Sequence, residues 1–410
     1  MRRHVFSQFT VRVKNGGVHL SFYLTTPVFE SLHGVWPRTP ICIHRTCEPR
    51  FTWGRDYAEH FDGLDVGKSR VIFEGPIEPI NNRKFEYVDE KVEAGRTYAY
   101  WVSSPTGRLP TGPVAVRVRD PRIWWPHHEI ESRLDSIVRA HPALATSRQF
   151  GTTVGGHAMP GLRVGNHDRC IAMIGTVHAG ESGPELMIPV VERLLTENAA
   201  LLAQVGVAIL PNVNIDERER LIHGCPWYLR TNARGVDINR NFDADWGTVS
   251  HGYGLVSSDP DALTYRGPEP ESEPETQAVV RFIEAIAPKA ALSYHALASI
   301  TGAMFLAPCA GKDDGDYVRL CESLVEPFIA AFYPTKRWRA GVRFGTSSGS
   351  LPAYLYRSSG VPAFDMEWDG NPDAQPSLSD LTTHKMLKTY QNRHYHGLTA
   401  MLKTLSAFSS

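Results

Sequence analysis

Over the first ~120 residues, apolar and polar positions alternate in short runs: Thr10–Val13, Val18–Tyr23, Pro40–His44, Ser69–Phe73, Thr97–Val102 and Val114–Val118. A period of two sends successive side chains to opposite faces of a strand, so these runs predict half-buried β-strands. Gly, Pro, Asn and Asp punctuate them, and no helical period of useful length intervenes. Such a segment predicts an all-β sandwich. The pattern changes at Asp120-Pro121-Arg122-Ile123-Trp124-Trp125-Pro126. Beyond it, Ile130, Leu134, Ile137 and Val138 recur at helical spacing, predicting a helix over Glu129–Ala140 that ends before Pro142.

From there short continuous apolar runs alternate with amphipathic ones. Buried strands are predicted at Ala172–Gly175, Gly206–Leu210, Ala290–Tyr294, Ala303–Leu306 and Ala363–Glu367. Helices are predicted at Pro184–Glu197, Glu273–Ala287, Asp316–Phe332 and His384–Thr404. Strands that alternate with helices make an α/β fold with a mixed, largely parallel sheet flanked by helices. The chain thus divides into a β-sandwich domain, 1–122, and a second domain, 123–410.

Composition narrows the partners. The 410 residues include 43 basic and 44 acidic ones, a net charge of -1. Without a basic excess or a Lys/Arg block, neither nucleic acid nor an anionic membrane surface is an expected partner. No apolar run approaches the ~20 residues of a membrane helix, and the N-terminal MRRHVFSQFTVRVKNG lacks the apolar segment of a secretory signal. The six cysteines are scattered with no C-x-x-C pair, which predicts free thiols and a cytoplasmic protein.

The chemistry begins where strand Cys170–Gly175 runs into Thr176-Val177-His178-Ala179-Gly180-Glu181. Ligands gather at the carboxyl ends of strands in open α/β sheets. An H-x-x-E pair there offers an imidazole and a carboxylate, and a third ligand would leave one position open, as catalytic zinc requires. The spacing alone is not selective, because His128 and Glu131 repeat it at the start of the first helix. Glu367 is more telling, since a carboxylate that closes an apolar strand costs free energy unless it is paired or working. Among the other histidines, His223, His251, His384, His394 and His396 have no ligand-type surroundings and are expected at the surface or hydrogen-bonded.

Downstream, Arg230-Thr231-Asn232-Ala233-Arg234-Gly235-Val236-Asp237-Ile238-Asn239-Arg240-Asn241-Phe242 is followed by Tyr265-Arg266-Gly267-Pro268, Ser272-Glu273-Pro274-Glu275, Ser293-Tyr294-His295 and Phe364-Asp365-Met366-Glu367-Trp368. With the H-x-x-E, this ordered set resembles the zinc carboxypeptidase family from Glu129 to the C-terminus. The resemblance implies one zinc ion held by His178, Glu181 and His295, with Asp237 orienting the first histidine. It implies Glu367 as the general base and Arg230 as the stabiliser of the developing oxyanion. Asn239 and Arg240 match the pair that binds the substrate's free carboxylate, a task suited to a planar guanidinium. In the N-terminal segment, Phe85–Asp89, Thr97–Val102 and Thr111–Val116 resemble the last strands of a fibronectin type III sandwich.

Two positions depart from the family's pancreatic type. Gly180 precedes the metal-binding glutamate where that type has an arginine, and Phe344, in a predicted loop over Arg343–Leu351, takes the place of a mobile tyrosine. Phenylalanine can cover a substrate but donates no hydrogen bond. Tyr354 and Tyr356 could supply a hydroxyl, although packing is their more ordinary role. Leu351 falls at the floor of the family's specificity pocket, which implies no acidic selection of a basic side chain. The expected reaction is hydrolysis of a peptide or amide bond beside a free carboxylate. Two alternatives stay open: a deacylase of small N-acyl amino acids, of the succinylglutamate desuccinylase and aspartoacylase kind, and an inactive peptide-binding homologue.

Overall fold

The computed structural model describes residues 6–24, 40–48, 52–53, 59–60, 64–80, 84–105, 110–224, 229–248, 256–296, 303–334, 341–368 and 383–408. Cys225 and His251 lie outside them. Two compact units emerge: residues 1–54, 59–121 and 220–228, and residues 55–58, 122–219 and 229–410.

In the first unit, strands β1 (Phe6–Lys14) and β2 (Gly17–Leu24) form an antiparallel hairpin, joined on the far edge of β2 by β5 (Lys84–Asp89). Asn15 and Gly16 form the turn, both at positive φ, as a two-residue hairpin between right-twisted strands requires. The second sheet has the order β4-β3-β6-β7, from β3 (Pro40–Cys47), β4 (Arg70–Pro76), β6 (Thr97–Ser103) and β7 (Thr111–Arg117). Alternate residues Val18, Leu20, Phe22 and Leu24 share one apolar core with Ile41, Ile43, Tyr100 and Val102 of the other sheet. That shared core makes the unit a sandwich.

The second unit is built on an eight-stranded sheet. Its strands are β8 (Ala145–Thr152), β9 (Ala158–Val164), β10 (Cys170–Ile174), β11 (Gly206–Leu210), β12 (Ala290–His295), β13 (Phe305–Pro308), β14 (Arg343–Thr346) and β15 (Ala363–Glu367). The order is β8-β9-β11-β10-β12-β15-β13-β14. Its centre, β11-β10-β12-β15, is parallel, and the edges bring in antiparallel pairs. The longer helices that accompany these strands are α1 (His127–Ala140), α2 (Pro184–Glu197), α3 (Ile215–Ile222, whose last three residues are counted with the first unit), α4 (Pro274–Ile286), α5 (Gly315–Phe332), α6 (Leu351–Ser359) and α7 (His384–Ala407). This is the mixed α/β fold expected from the sequence, with the central strands and long helices within a few residues of their predicted bounds.

The edges differ from expectation. β8 exposes most of its residues, so its sequence carries little apolar alternation to reveal a strand. The segment Arg343–Leu351, expected as a loop, begins as edge strand β14 and ends at the first residue of α6. β14 has only four residues, too few to show a period of two.

The two faces of β12 and β15 explain where the site lies. Their register pairs Ala291 with Ala363, Ser293 with Asp365, and His295 with Glu367. Ala291 and Ala363 belong to the core that includes Phe282 and Ile283 of α4 and Leu355 of α6. The next residues on that same face are polar, so the row passes from core to site as the strands end. On the opposite face Phe364 packs edge-on against Phe305, and Tyr294 stacks on His394 of α7.

His394 contradicts the expectation of a surface or hydrogen-bonded histidine. It is fully buried among Tyr294, Phe328, Phe332 and Trp368, and neither ring nitrogen has a hydrogen-bond partner among the described residues. Burial, with the Arg393 charge adding to it, pushes its pKa from 6.5 down to about 3. The folded protein therefore holds it neutral while the unfolded chain takes up a proton below pH 6.5. Stability contributed by the neutral ring is complete above 6.5 and falls by up to about 1.4 kcal/mol per pH unit down to about pH 3. Denaturant melts at stepped pH should show this slope, and His394→Leu should flatten it. Equal slopes in the two proteins would refute the assignment.

Candidate metal centre

β10 ends in a turn that the backbone must force. Thr176, fully buried, stands at φ 50°, a conformation costly for a β-branched residue. Its hydroxyl donates to Asn212 Oδ1 at 2.7 Å and accepts from Val213 N at 3.1 Å, and Asn214 N donates to its carbonyl. Those bonds over-determine the turn that carries His178 and Glu181, before α2 starts with Pro184. Gly180 N bonds the carbonyl of Leu229, which ties this turn to the segment carrying Arg230.

His178, Glu181 and His295 meet at the carboxyl end of the sheet, all buried. One ligand atom from each lies within 4.8 Å of the others. Glu181 spans the two rings, with Oε1 at 3.2 Å from His178 Nδ1 and Oε2 at 2.8 Å from His295 Nδ1. The 3.2 Å spacing matches the roughly 3.3 Å between tetrahedral nitrogen and oxygen ligands at zinc distances, while the 2.8 Å spacing is that of a hydrogen bond. The rear nitrogens are also held: His178 Nε2 is 3.0 Å from Asp237 Oδ1, and His295 Nε2 is 3.0 Å from Ser293 Oγ and 3.2 Å from Asp365 Oδ1. Coordination through Nδ1 leaves the proton on Nε2, facing these acceptors.

Charge points the same way. Glu181, Asp237, Asp365 and Glu367 are buried with Arg230 and Arg240, so four carboxylates meet two guanidiniums. With the imidazoles neutral, as coordination through Nδ1 requires, these groups carry two excess negative charges, which a divalent cation would balance; without the ion, proton uptake by His295 offsets part of that excess. For Glu181, burial alone would raise the pKa, but the His178 and His295 charges and hydrogen bonds hold it well below the carboxylate range. Asp237 is likewise held low against burial, by Arg230 first and then His178 and Arg240. His295 runs the other way: burial disfavours its charge, yet Asp365 and Glu181 outweigh that and raise it well above 6.5.

The stretch Arg230–Phe242 wraps around this group. Asp237 Oδ2 accepts from Arg230 Nε at 2.9 Å and Nη2 at 2.8 Å, while its Oδ1 also caps the turn through Asn239 N at 3.1 Å. Asn239 Nδ2 donates to Asp365 Oδ2 at 3.0 Å, and Asn239 Oδ1 accepts from Leu351 N at 3.0 Å. Arg240 Nη1 donates to Asn239 O at 2.8 Å. Gly349, at φ 69°, lets the chain close over this segment, since a Cβ there would lie 2.1 Å from the Arg240 carbonyl oxygen.

A profile of the zinc carboxypeptidase family matches residues 130–393. The chain belongs to the zinc carboxypeptidase family. It is 41% identical over 75 residues to murein peptide amidase A of Escherichia coli K12, a match covering 18% of this chain and 31% of that protein. It is 28% identical over 182 residues to rat mast cell carboxypeptidase A, covering 38% of this chain and 41% of that one. The chain thus spans less than half the length of either relative. In fold it is similar to carboxypeptidase A from Helicoverpa armigera, with a TM-score of 0.59 at 16% identity over 81% of this chain and 91% of the other. The cofactor of this family is zinc, and the His178–Glu181–His295 group of this chain could hold one ion.

The other residues singled out in the sequence make the following contacts. His128, of the duplicate H-x-x-E, is exposed on α1. Phe344 lies on β14 with its ring 6.3 Å from Tyr317. Tyr354 packs on Phe242, and Tyr356 packs on Tyr317 with its hydroxyl donating to Asp314. Leu351, buried in the core, starts α6 behind the capping hydroxyl of Ser350. Asp365 is the residue that sequence reasoning passed over. Its spacing of two from Glu367 in a strand is the signal that places both on one face.

Metal analysis of the purified protein should find about one zinc per chain, and His178→Ala or His295→Ala should abolish its retention. Asp237→Asn should weaken zinc binding about 10–100-fold by chelator competition. Unchanged affinity would show that Asp237 does not orient His178.

Proposed function

We propose that this protein is a metallocarboxypeptidase that hydrolyses a peptide or amide bond adjacent to a free carboxylate. The observation that carries this reading is the juxtaposition of the His178–Glu181–His295 group with Glu367, the partner of His295 in the strand register. Bound by those three residues, zinc would polarise the substrate carbonyl and lower the pKa of water toward neutrality. Glu367 accepts the proton of the attacking water and delivers it to the leaving nitrogen as the C–N bond breaks. Arg230, aligned by the Asp237 carboxylate, donates to the oxyanion that develops on the former carbonyl oxygen.

Arg240 takes the substrate carboxylate through its guanidinium, and Asn239 assists. One N–H of the Asn239 amide is committed to Asp365, so at most one remains for the substrate. Phe344 stands for the family's tyrosine without its hydroxyl, and Leu351 brings no acidic group to the specificity pocket. Residues 1–122 form a fibronectin type III-like domain and 123–410 the catalytic one. This rests on the three- and four-stranded antiparallel sheets of the first unit. A cytoplasmic location is inferred from the six scattered cysteines, which form no C-x-x-C pair. No described helix is long and apolar enough to cross a membrane.

An N-blocked dipeptide with a free carboxylate should be cleaved, and its C-terminal amide should lose about 100-fold in kcat/KM. Arg240→Ala should raise KM for the free acid. Glu367→Gln should retain zinc and lose roughly 10²–10⁴-fold in kcat. Cleavage confined to N-acyl amino acids would replace this reading with the deacylase. Stoichiometric zinc without turnover of any carboxylate-bearing amide would favour the inactive binder.

A further inference from the structure

Asp365 is buried at the carboxyl end of β15, with 6% of its surface exposed. Removing a lone carboxylate from water costs several kcal/mol, so its surroundings should repay that. They are unusual. Asp365 Oδ2 accepts the Asn239 amide at 3.0 Å, and Asp365 Oδ1 lies 3.2 Å from His295 Nε2. That second contact is an ion pair without hydrogen-bond alignment, and Oδ1 has no hydrogen bond of its own. The aligned partner of His295 Nε2 is Ser293 Oγ at 3.0 Å, on the residue directly across the register from Asp365. The ring N–H therefore has a hydroxyl and a carboxylate within reach together.

One carboxylate thus touches two elements with different tasks. Through Oδ1 it faces the rear of a metal-ligand imidazole, and through Oδ2 it fixes the amide of Asn239. With its Nδ2 so held, Asn239 presents Oδ1 to Leu351 N, which joins it to the start of α6. His178 has the equivalent partner in Asp237, and Asp237 is also shared, with Arg230. Each histidine is thus backed by a carboxylate whose other oxygen grips a residue of the Arg230–Phe242 stretch.

We propose that Asp365 is a positioning residue that ties His295 to Asn239, so that holding the metal and recognising the substrate's carboxylate depend on one side chain. This rests on the metallocarboxypeptidase reading. Asparagine at 365 keeps the shape but replaces one acceptor oxygen by a donor NH₂ group, which must then face either the Asn239 amide or the imidazole N–H. Serine is too short to reach both.

The test compares wild type, Asp365→Asn and Asp365→Ser by two independent measurements on the full chain. Zinc affinity is measured by chelator competition with no substrate present. Binding of an N-blocked dipeptide with a free carboxylate is measured by calorimetry on the zinc-saturated protein, in a Glu367→Gln background so that no turnover intervenes. Asp365→Ser, which removes both carboxylate oxygens, should weaken zinc about 10–100-fold. It should also weaken the dipeptide about tenfold at saturating zinc, the loss of one hydrogen bond to a charged group. Asp365→Asn keeps one acceptor and should weaken at least one of the two affinities. The melting temperature of the metal-free protein reports folding, and Asp365→Asn serves if the serine variant does not fold. For Asp365→Ser a change in only one of the two affinities would overturn the shared role, and for Asp365→Asn no change in either would. Failure of the function reading is separate: the wild-type chain would then not cleave the dipeptide, whatever the Asp365 variants do to zinc.

Discussion

Buried carboxylates facing imidazoles organise the second unit, and the cost of burying them decides most of what surrounds them. Glu181 lies between the Nδ1 atoms of His178 and His295, while Asp237 and Asp365 stand behind the two rings. Each buried ion costs several kcal/mol unless it is well partnered, more than a single neutral hydrogen bond returns. The partners are therefore multiple and local: Arg230 grips Asp237 with two nitrogens, Asn239 holds Asp365, and the Thr176 turn is tied by bonds to Asn212, Val213 and Asn214. A divalent cation completes the balance that these side chains leave negative.

The sheet makes that arrangement possible. Parallel strands β10, β12 and β15 deliver their carboxyl ends to one edge, and the register sets Ser293 beside Asp365 and His295 beside Glu367. On the same face, one step earlier, Ala291 and Ala363 belong to the core beneath α4 and α6. Small apolar residues followed by polar ones along one face convert a packed sheet into a reaction site within two residues. The opposite face stays apolar throughout, and there the cost of burial falls on His394 instead, held neutral among aromatic rings.

The two faces also separate tolerance from precision. The core rows of Phe364, Phe305 and Phe328 need only volume and shape, which related apolar residues supply. The polar row needs particular atoms at hydrogen-bond distance, and its residues share partners across three segments far apart in the chain. Changing one member disturbs two contacts at once, because oxygens of a single carboxylate serve different neighbours.

Much of this was legible in the chain itself. The period of two before residue 120, the apolar runs of the central strands and the spacing of the long helices follow from local burial, which sequence periodicity encodes directly. The ordered set His178, Glu181, Arg230, Asn239, Arg240, His295 and Glu367 pointed to zinc through its resemblance to the zinc carboxypeptidase family. Edge strands β8 and β14 were not legible, since an edge has one exposed side and little alternation, or too few residues to show any. Nor was it legible that His394 would lie buried, that Asp237 would serve both His178 and Arg230, or that Asp365 would reach both His295 and Asn239. Those outcomes depend on which strand ends meet and in what register. Local sequence determines which residues can form a strand and which can bind a metal; only the closed sheet decides which of them share a carboxylate.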